Sequence, residues 1–183
     1  CKVSRNPIPL SIKLEFIKWW PRIFSYIGDF SGAIALSDLA IKSLEKMYGK
    51  ENKKCIIPLL DIARIHAYRG NICEAWNYLS RVFEIVSSGS VIPSEKYTVL
   101  NVDKLDEALE NPDYTLFDHT MILCTLIEIL IFSGNYELAY KLSIDLLKTL
   151  HSHKCETLTA IYETEAIICE HKACLLYTSD AAD

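Results

Sequence analysis

Histidine and cysteine side chains are the first candidates for chemistry in this sequence. His151, His153 and Cys155 alternate with other residues over five positions, and His and Cys are common zinc ligands. A tetrahedral site needs further ligands, and the sequence supplies none nearby. A polar loop between helices explains the cluster more simply, so we predict no metal site.

A second candidate is the pair His66 and Cys73, because a histidine base beside a thiol can form a nucleophile pair. A packed histidine and a buried core thiol are the simpler explanation. The sequence also lacks a phosphate-binding glycine loop, a G-x-S-x-G motif and an H-E-x-x-H motif. We therefore predict no enzyme activity and no cofactor in this segment.

Composition excludes several classes of function. The chain has 183 residues, half of them hydrophobic, and a formal net charge of −5, which is unfavourable for general nucleic-acid binding. Its seven cysteines have no paired spacing, so we expect reduced thiols and a cytoplasmic location. The longest apolar run, Met121 to Phe132, contains Glu128 and is too short to span a bilayer, so we expect no membrane insertion.

One short pattern occurs three times and indicates how the chain is organised. A glycine is followed by Asp or Asn, then an apolar residue, and an alanine stands five positions after the glycine. Glycine permits the left-handed turn that ends one helix, and Asp or Asn is a preferred cap of the next helix. The pattern therefore predicts three helical hairpins. Its glycines and alanines are Gly28 and Ala33, Gly70 and Ala75, and Gly134 and Ala139.

Apolar periodicity places helices on both sides of these turns. The predicted helices span residues 11–27, with Pro21 inside, 33–48, 55–69, 73–86, 117–132, 136–150 and 156–172. In the second of these helices the residues expected to point inward are Ile34, Leu36, Leu39, Ala40, Leu44 and Met47. Residues 151–155 are expected to form a loop. The fold class is all-α.

Three segments lie outside this pattern. Residues 1–10, with Pro7 and Pro9, are expected to form an extended lead-in to a helical domain at 11–172. Gly70 lies 42 residues after Gly28, whereas Gly134 follows 64 residues later, and we place the excess in an acidic insert at about 87–116. The final CLLYTSDAAD resembles a translated sequencing adapter, so residues 173–183 are expected to be an artefactual tail.

The chain resembles the tetratricopeptide repeat, in particular the longer variety of kinesin light chains, over roughly residues 11–172, and residues 28–85 carry the local match. They are similar to the family pattern G-x-Y-x-x-A, followed by a helix that ends in a short charged segment, and a second helix with a small residue at Ala63. In the first and third units that small position is Pro21 and Ile127 instead. The resemblance implies an α-solenoid of about three stacked hairpins plus a truncated fourth, and a concave groove lined by the first helix of each hairpin.

The resemblance also assigns candidate partner-binding residues. The positions that would face the groove are Lys18, Arg22, Tyr26, Arg64, Tyr68 and Glu128. Arg and Tyr are frequent anchors at interfaces, so a weakly basic, aromatic groove would favour an acidic or aromatic-bearing peptide. The competing interpretation is that these are ordinary solvated helix residues.

We therefore expect a protein–protein interaction scaffold that binds a peptide or protein segment without a cofactor. The alternative is a regulatory or auxiliary region of a larger enzyme or signalling protein. A third interpretation is self-association, because the apolar helix at 117–132 and an unpaired seventh helix would expose hydrophobic surface.

Overall fold

The computed structural model describes residues 20–87, 114–152, 171 and 174–175. Within these residues the chain is helical apart from short turns, which confirms the all-α prediction for this part of the protein. The helices are α1 (residues 20–26), α2 (Phe30–Tyr48), a 3₁₀ turn (Lys53–Cys55), α3 (Ile56–Tyr68), α4 (Ile72–Val86), α5 (Leu116–Phe132) and α6 (Tyr136–Ser152).

The predicted boundaries agree with the observed ones to within three residues at most ends. One difference is the end of α6, which continues through His151 and Ser152, where a loop was expected. Position 18, the lead-in at 1–10, most of the acidic insert and most of the predicted seventh helix lie outside the described residues.

The three repeated turns have the same backbone geometry. At the second, the Asn71 N–H donates to the His66 carbonyl at 2.9 Å and the Gly70 N–H donates to the Ala67 carbonyl at 2.9 Å. This is the Schellman arrangement, which requires positive φ at the glycine. The equivalent bonds join Asp29 to Phe24, Gly28 to Ser25, Asn135 to Leu130 and Gly134 to Ile131. The φ angles of Gly28, Gly70 and Gly134 are 84°, 76° and 81°.

The helix that follows each turn also begins in the same way. The Ala75 N–H donates to the Asn71 carbonyl at 3.1 Å, and the alanine side chain is fully buried, as it is at Ala33 and Ala139. Asp29 accepts a hydrogen bond from the Gly32 N–H at 2.9 Å and thereby caps α2. Asn71 is the N-cap residue of α4, but its side chain makes no cap hydrogen bond.

Neighbouring helices share one hydrophobic core. Helix α3 packs against α2, α4 and α5, and α5 in turn packs against α4 and α6. Arg81 on α4 also forms an ion pair with Glu45 on α2. A helix with an apolar stripe must bury that stripe against its neighbours, so these contacts between helices stabilise each of them.

Helix α5 corrects one sequence expectation. All of its residues from Thr120 to Ile131 are buried, so this apolar helix is an interior element and does not offer the exposed surface expected for self-association. Its start is fixed by a capping box, in which Thr115 and Asp118 exchange hydrogen bonds. A helix that is apolar on all sides is stable only when neighbours cover all sides.

Helix α2 corrects a second expectation. Leu39 and Met47 were predicted to point inward, but both are exposed, whereas Ser37 is fully buried. The pattern of apolar residues in α2 therefore marks its core-facing stripe only approximately.

A hydrogen bond joins a residue just before α5 to the end of α4. The Tyr114 hydroxyl donates to the Ile85 carbonyl at 3.1 Å, so the chain returns close to the point where α4 ends. Helix α5 can consequently pack against α3 and α4, even though 26 residues, 88–113, separate the described ends of this connection.

Candidate partner-binding surface

Counting back from each turn glycine shows which residues are equivalent. Two positions before the glycine stand Tyr26, Tyr68 and Phe132, and six positions before it stand Arg22, Arg64 and Glu128. Residues four apart lie on the same side of a helix, so α1, α3 and α5 each carry one aromatic and one charged residue on one side. We call these six residues the aromatic–charged face.

A hydrogen-bonded ion pair connects α3 and α5 on this face. Arg64 binds Glu128 with two bonds, Nε to Oε2 at 2.7 Å and Nη2 to Oε1 at 3.1 Å. The Tyr68 hydroxyl donates to the same Oε1 at 2.9 Å. The Arg64 and Glu128 side chains are only 17% and 6% exposed, so this ion pair is largely removed from water.

A second ion pair connects α1 and α3. Arg22 Nε lies 2.8 Å from Asp61 Oδ1, and Asp61 is buried. Asp61 was not among the residues predicted from the sequence. The available signal was an isolated carboxylate within the apolar stretch Ile56–Ala63, because a buried acid needs a charged or hydrogen-bonding partner.

Aromatic rings form the other half of the face. Tyr68 and Phe132 pack edge to face, with ring centroids 5.3 Å apart and planes at 90°. Tyr26, Tyr68 and Phe132 are 88%, 39% and 45% exposed, respectively. Phe132 was not among the predicted residues, although its position two residues before Gly134 would have identified it.

A cleft of about 250 Å³ opens between α1 and α3. Tyr26 and Tyr68 line it, together with the side chains of the Arg22–Asp61 pair and Arg64. Ser25, Phe30 and Ile65 complete the lining. The cleft therefore has aromatic walls and charged groups that are already engaged within the protein.

On this face, the local environment also shifts the pKa of the Tyr68 hydroxyl. Burial and the neighbouring Glu128 carboxylate raise the pKa of Tyr68 well above its ordinary value. Tyr68 consequently remains a neutral hydrogen-bond donor across the physiological pH range, and its ring position is fixed by the bond to Glu128.

The structure brings five of the six predicted partner-binding residues together, and Lys18 lies outside the described residues. Glu128 is buried, so it acts on this face through its bonds to Arg64 and Tyr68 and not as an exposed group. The charges of the predicted residues differ from the expectation. Arg22 and Arg64 were expected to make the groove weakly basic, but each is paired with a carboxylate. Within the described part of the face, positive charge is therefore balanced by negative charge.

Of the other chemical candidates, His66 and Cys73 lie within the described residues, whereas His153 and Cys155 lie outside them. His66 stacks on Tyr78 with ring centroids 5.5 Å apart and planes at 15°, and burial lowers the pKa of His66. Cys73 is exposed at the start of α4, which corrects its prediction as a core thiol. No group of three or more potential metal ligands occurs among the described residues.

Comparison of the chain with protein-family models, with curated proteins and with solved structures gives no match. The resemblance to the tetratricopeptide repeat therefore depends on the residues of this sequence alone. In the described part of the chain, no helix has both the length and the apolar character needed to cross a membrane.

Proposed function

We propose that this protein is a protein–protein interaction scaffold, built as an α-solenoid of the tetratricopeptide type, that binds a peptide or protein segment on the aromatic–charged face. The observation that carries the proposal is the register of Tyr26, Tyr68 and Phe132. Three large aromatic side chains stand at the same position before three equivalent turns, and all three are exposed.

The packing of the helices supports the solenoid part of the proposal. Helix α3 contacts the preceding helix α2 and the following helices α4 and α5, while α5 contacts α3, α4 and α6. Such contacts between successive hairpins are those of a stacked array. In an array of this kind α1, α3 and α5 are the first helices of their hairpins and line one common surface.

The chemistry of the face supports the binding part of the proposal. Exposed aromatic side chains provide large contact area at small cost in conformational entropy, and Tyr and Arg are frequent interface hot spots. Because Arg22 and Arg64 are held by Asp61 and Glu128, the face is ordered before a partner arrives. A preorganised surface loses less entropy on binding than a flexible one.

A selection of linear peptides from a random display library on the immobilised protein would test this proposal. We expect the selected peptides to bind the double variant Tyr26→Ser, Phe132→Ser about tenfold or more weakly than the unmodified chain. Leu39→Ser is the matched control, because it removes an exposed apolar side chain from α2. Equal binding to all three proteins would contradict the proposal.

A further inference from the structure

The cleft between α1 and α3 differs from the corresponding gap between α3 and α5. In the second gap, the Phe132 ring packs directly on the Tyr68 ring beside the Arg64–Glu128 pair. In the first, Tyr68 lines an open cleft and Tyr26 is 88% exposed. The array thus closes one aromatic gap with its own side chains and leaves the equivalent gap open.

We propose that this cleft receives one aromatic side chain of the bound partner. The partner's ring would then lie between Tyr26 and Tyr68, in the row of rings formed by Tyr26, Tyr68 and Phe132. This inference rests on the proposed function and names the side-chain class that the surface selects. It makes the cleft the anchor site of the interface.

The size of the cleft limits its occupant. Its volume of about 250 Å³ lies below the range of pockets that hold drug-sized ligands or cofactors. A single large side chain is the occupant that this volume suits. Buried anchor residues of this kind supply much of the affinity of protein interfaces.

The lining chemistry favours an aromatic ring over other side chains. Two tyrosine rings offer edge-to-face or offset contact, and Ile65 and Phe30 add apolar surface. Arg22 and Arg64 also line the cleft, and the side chain of arginine stacks well on aromatic faces.

Charge argues against an acidic anchor. Arg22 donates its Nε hydrogen to Asp61 at 2.8 Å, and Arg64 uses Nε and Nη2 to bind Glu128. A partner carboxylate would have to share these arginines with Asp61 or Glu128 and would be repelled by either of these buried carboxylates. A neutral ring can lie against these pairs without breaking either of them.

Small capped amino acids can test the cleft without an identified partner. We would titrate the full chain with N-acetyl-tryptophanamide, N-acetyl-leucinamide and N-acetyl-aspartate amide and follow protein amide shifts by NMR. We expect measurable binding of the tryptophan probe, with shifts concentrated at Ser25, Tyr26 and Tyr68. The leucine and aspartate probes should bind with an affinity at least about tenfold lower than that of the tryptophan probe.

The decisive variant is Ser25→Phe, which places a ring inside the cleft while leaving both ion pairs in place. It should weaken binding of the tryptophan probe by about tenfold or more. Asn77→Phe adds the same ring to an exposed position of α4 that does not line the cleft, and it should leave binding unchanged. Far-ultraviolet circular dichroism checks that both variants keep their helix content.

Three results would overturn the inference: stronger binding of the aspartate or leucine probe, no binding of the tryptophan probe, or undiminished tryptophan binding to folded Ser25→Phe. None of them affects the peptide test of the proposed function, because peptides can bind along the exposed edges of Tyr26, Tyr68 and Phe132 without inserting a side chain into the cleft. Failure of the anchor site and failure of the scaffold are thus distinguishable.

Discussion

Replacing Arg64 by Met should show how strongly the ion pair with Glu128 joins α3 to α5. Removing one partner of a buried ion pair typically costs about 3–5 kcal/mol, because the remaining charge is left without compensation. The Arg64 side chain is 17% exposed and Tyr68 still donates to Glu128, so we expect a lower value, about 2–4 kcal/mol. For a chain of this length, 3 kcal/mol corresponds to a fall in Tm of roughly 6–12 °C.

The double variant Arg64→Met, Glu128→Leu separates the value of the pair from the penalty of an orphaned charge. Replacing both partners by apolar residues of similar size is often nearly neutral, so the double variant should regain most of the stability that Arg64→Met loses. Each protein is unfolded in urea and followed by circular dichroism, with the midpoint and the slope reported separately, because repeat arrays do not always unfold in two states.

Lys148→Met is the matched control for this experiment. Lys148 pairs with Asp145 on α6 at 3.0 Å, but the two side chains are 71% and 53% exposed, so water screens the interaction. Its loss should change the free energy of unfolding by no more than about 0.5 kcal/mol. Two results would contradict this role of the ion pair. One is a loss of unfolding free energy in Arg64→Met that is no larger than the loss in Lys148→Met, and the other is a double variant less stable than Arg64→Met alone.

Three further predictions follow from individual residues. The raised pKa of Tyr68 means that the folded state favours the neutral hydroxyl, so this contribution is complete below the ordinary tyrosine pKa of about 10 and declines as pH rises above it. Urea midpoints at about pH 9 and 11 should therefore fall less in Tyr68→Phe than in the unmodified chain, and an equal fall would contradict the assignment. Gly70→Ala should lower the free energy of unfolding, measured by thermal denaturation, by about 1 kcal/mol. The cost comes from backbone strain alone, since φ at Gly70 is 76° and an added Cβ meets no atom within 4 Å. A loss of several kcal/mol would indicate a collision that the structure lacks. Iodoacetamide should modify the exposed Cys73 in the native protein. Cys55 is buried, and burial raises the pKa of its thiol, so Cys55 should react only after unfolding. Peptide mass mapping that finds the reverse order would disprove this placement.

The sequence predicted the helices well because the signals that end and begin them are local. A glycine followed by Asp or Asn supplies both the left-handed residue and the start of the next helix within two positions. The turn at Gly70, for example, is built from backbone bonds that reach back only three and five residues. Local chemistry of this kind does not depend on distant contacts, so it can be read without knowing the tertiary structure.

The charge balance of the aromatic–charged face could not be predicted in the same way. Arg22 and Asp61 are 39 residues apart in the chain, and Arg64 and Glu128 are 64 apart. Helical periodicity shows which side of a helix carries a residue, but not which residue of another helix lies opposite. The sequence therefore assigned Arg22, Arg64 and Glu128 to one side of their helices without showing that Arg22 binds Asp61 and that Arg64 binds Glu128.

The ion pairs affect which partner segments the aromatic–charged face would favour under the proposed function. Unpaired arginines would attract acidic segments over a long range and select them by charge, with strong dependence on salt. Paired arginines lose much of that field, because Asp61 and Glu128 lie within hydrogen-bond distance of the guanidinium groups. Under the proposed function, a partner is then selected by contacts at short range, for which Tyr26, Tyr68 and Phe132 provide ring surfaces. Binding to this face should consequently depend weakly on ionic strength, and a steep loss of peptide affinity with added salt would show that the arginines act as free charges after all.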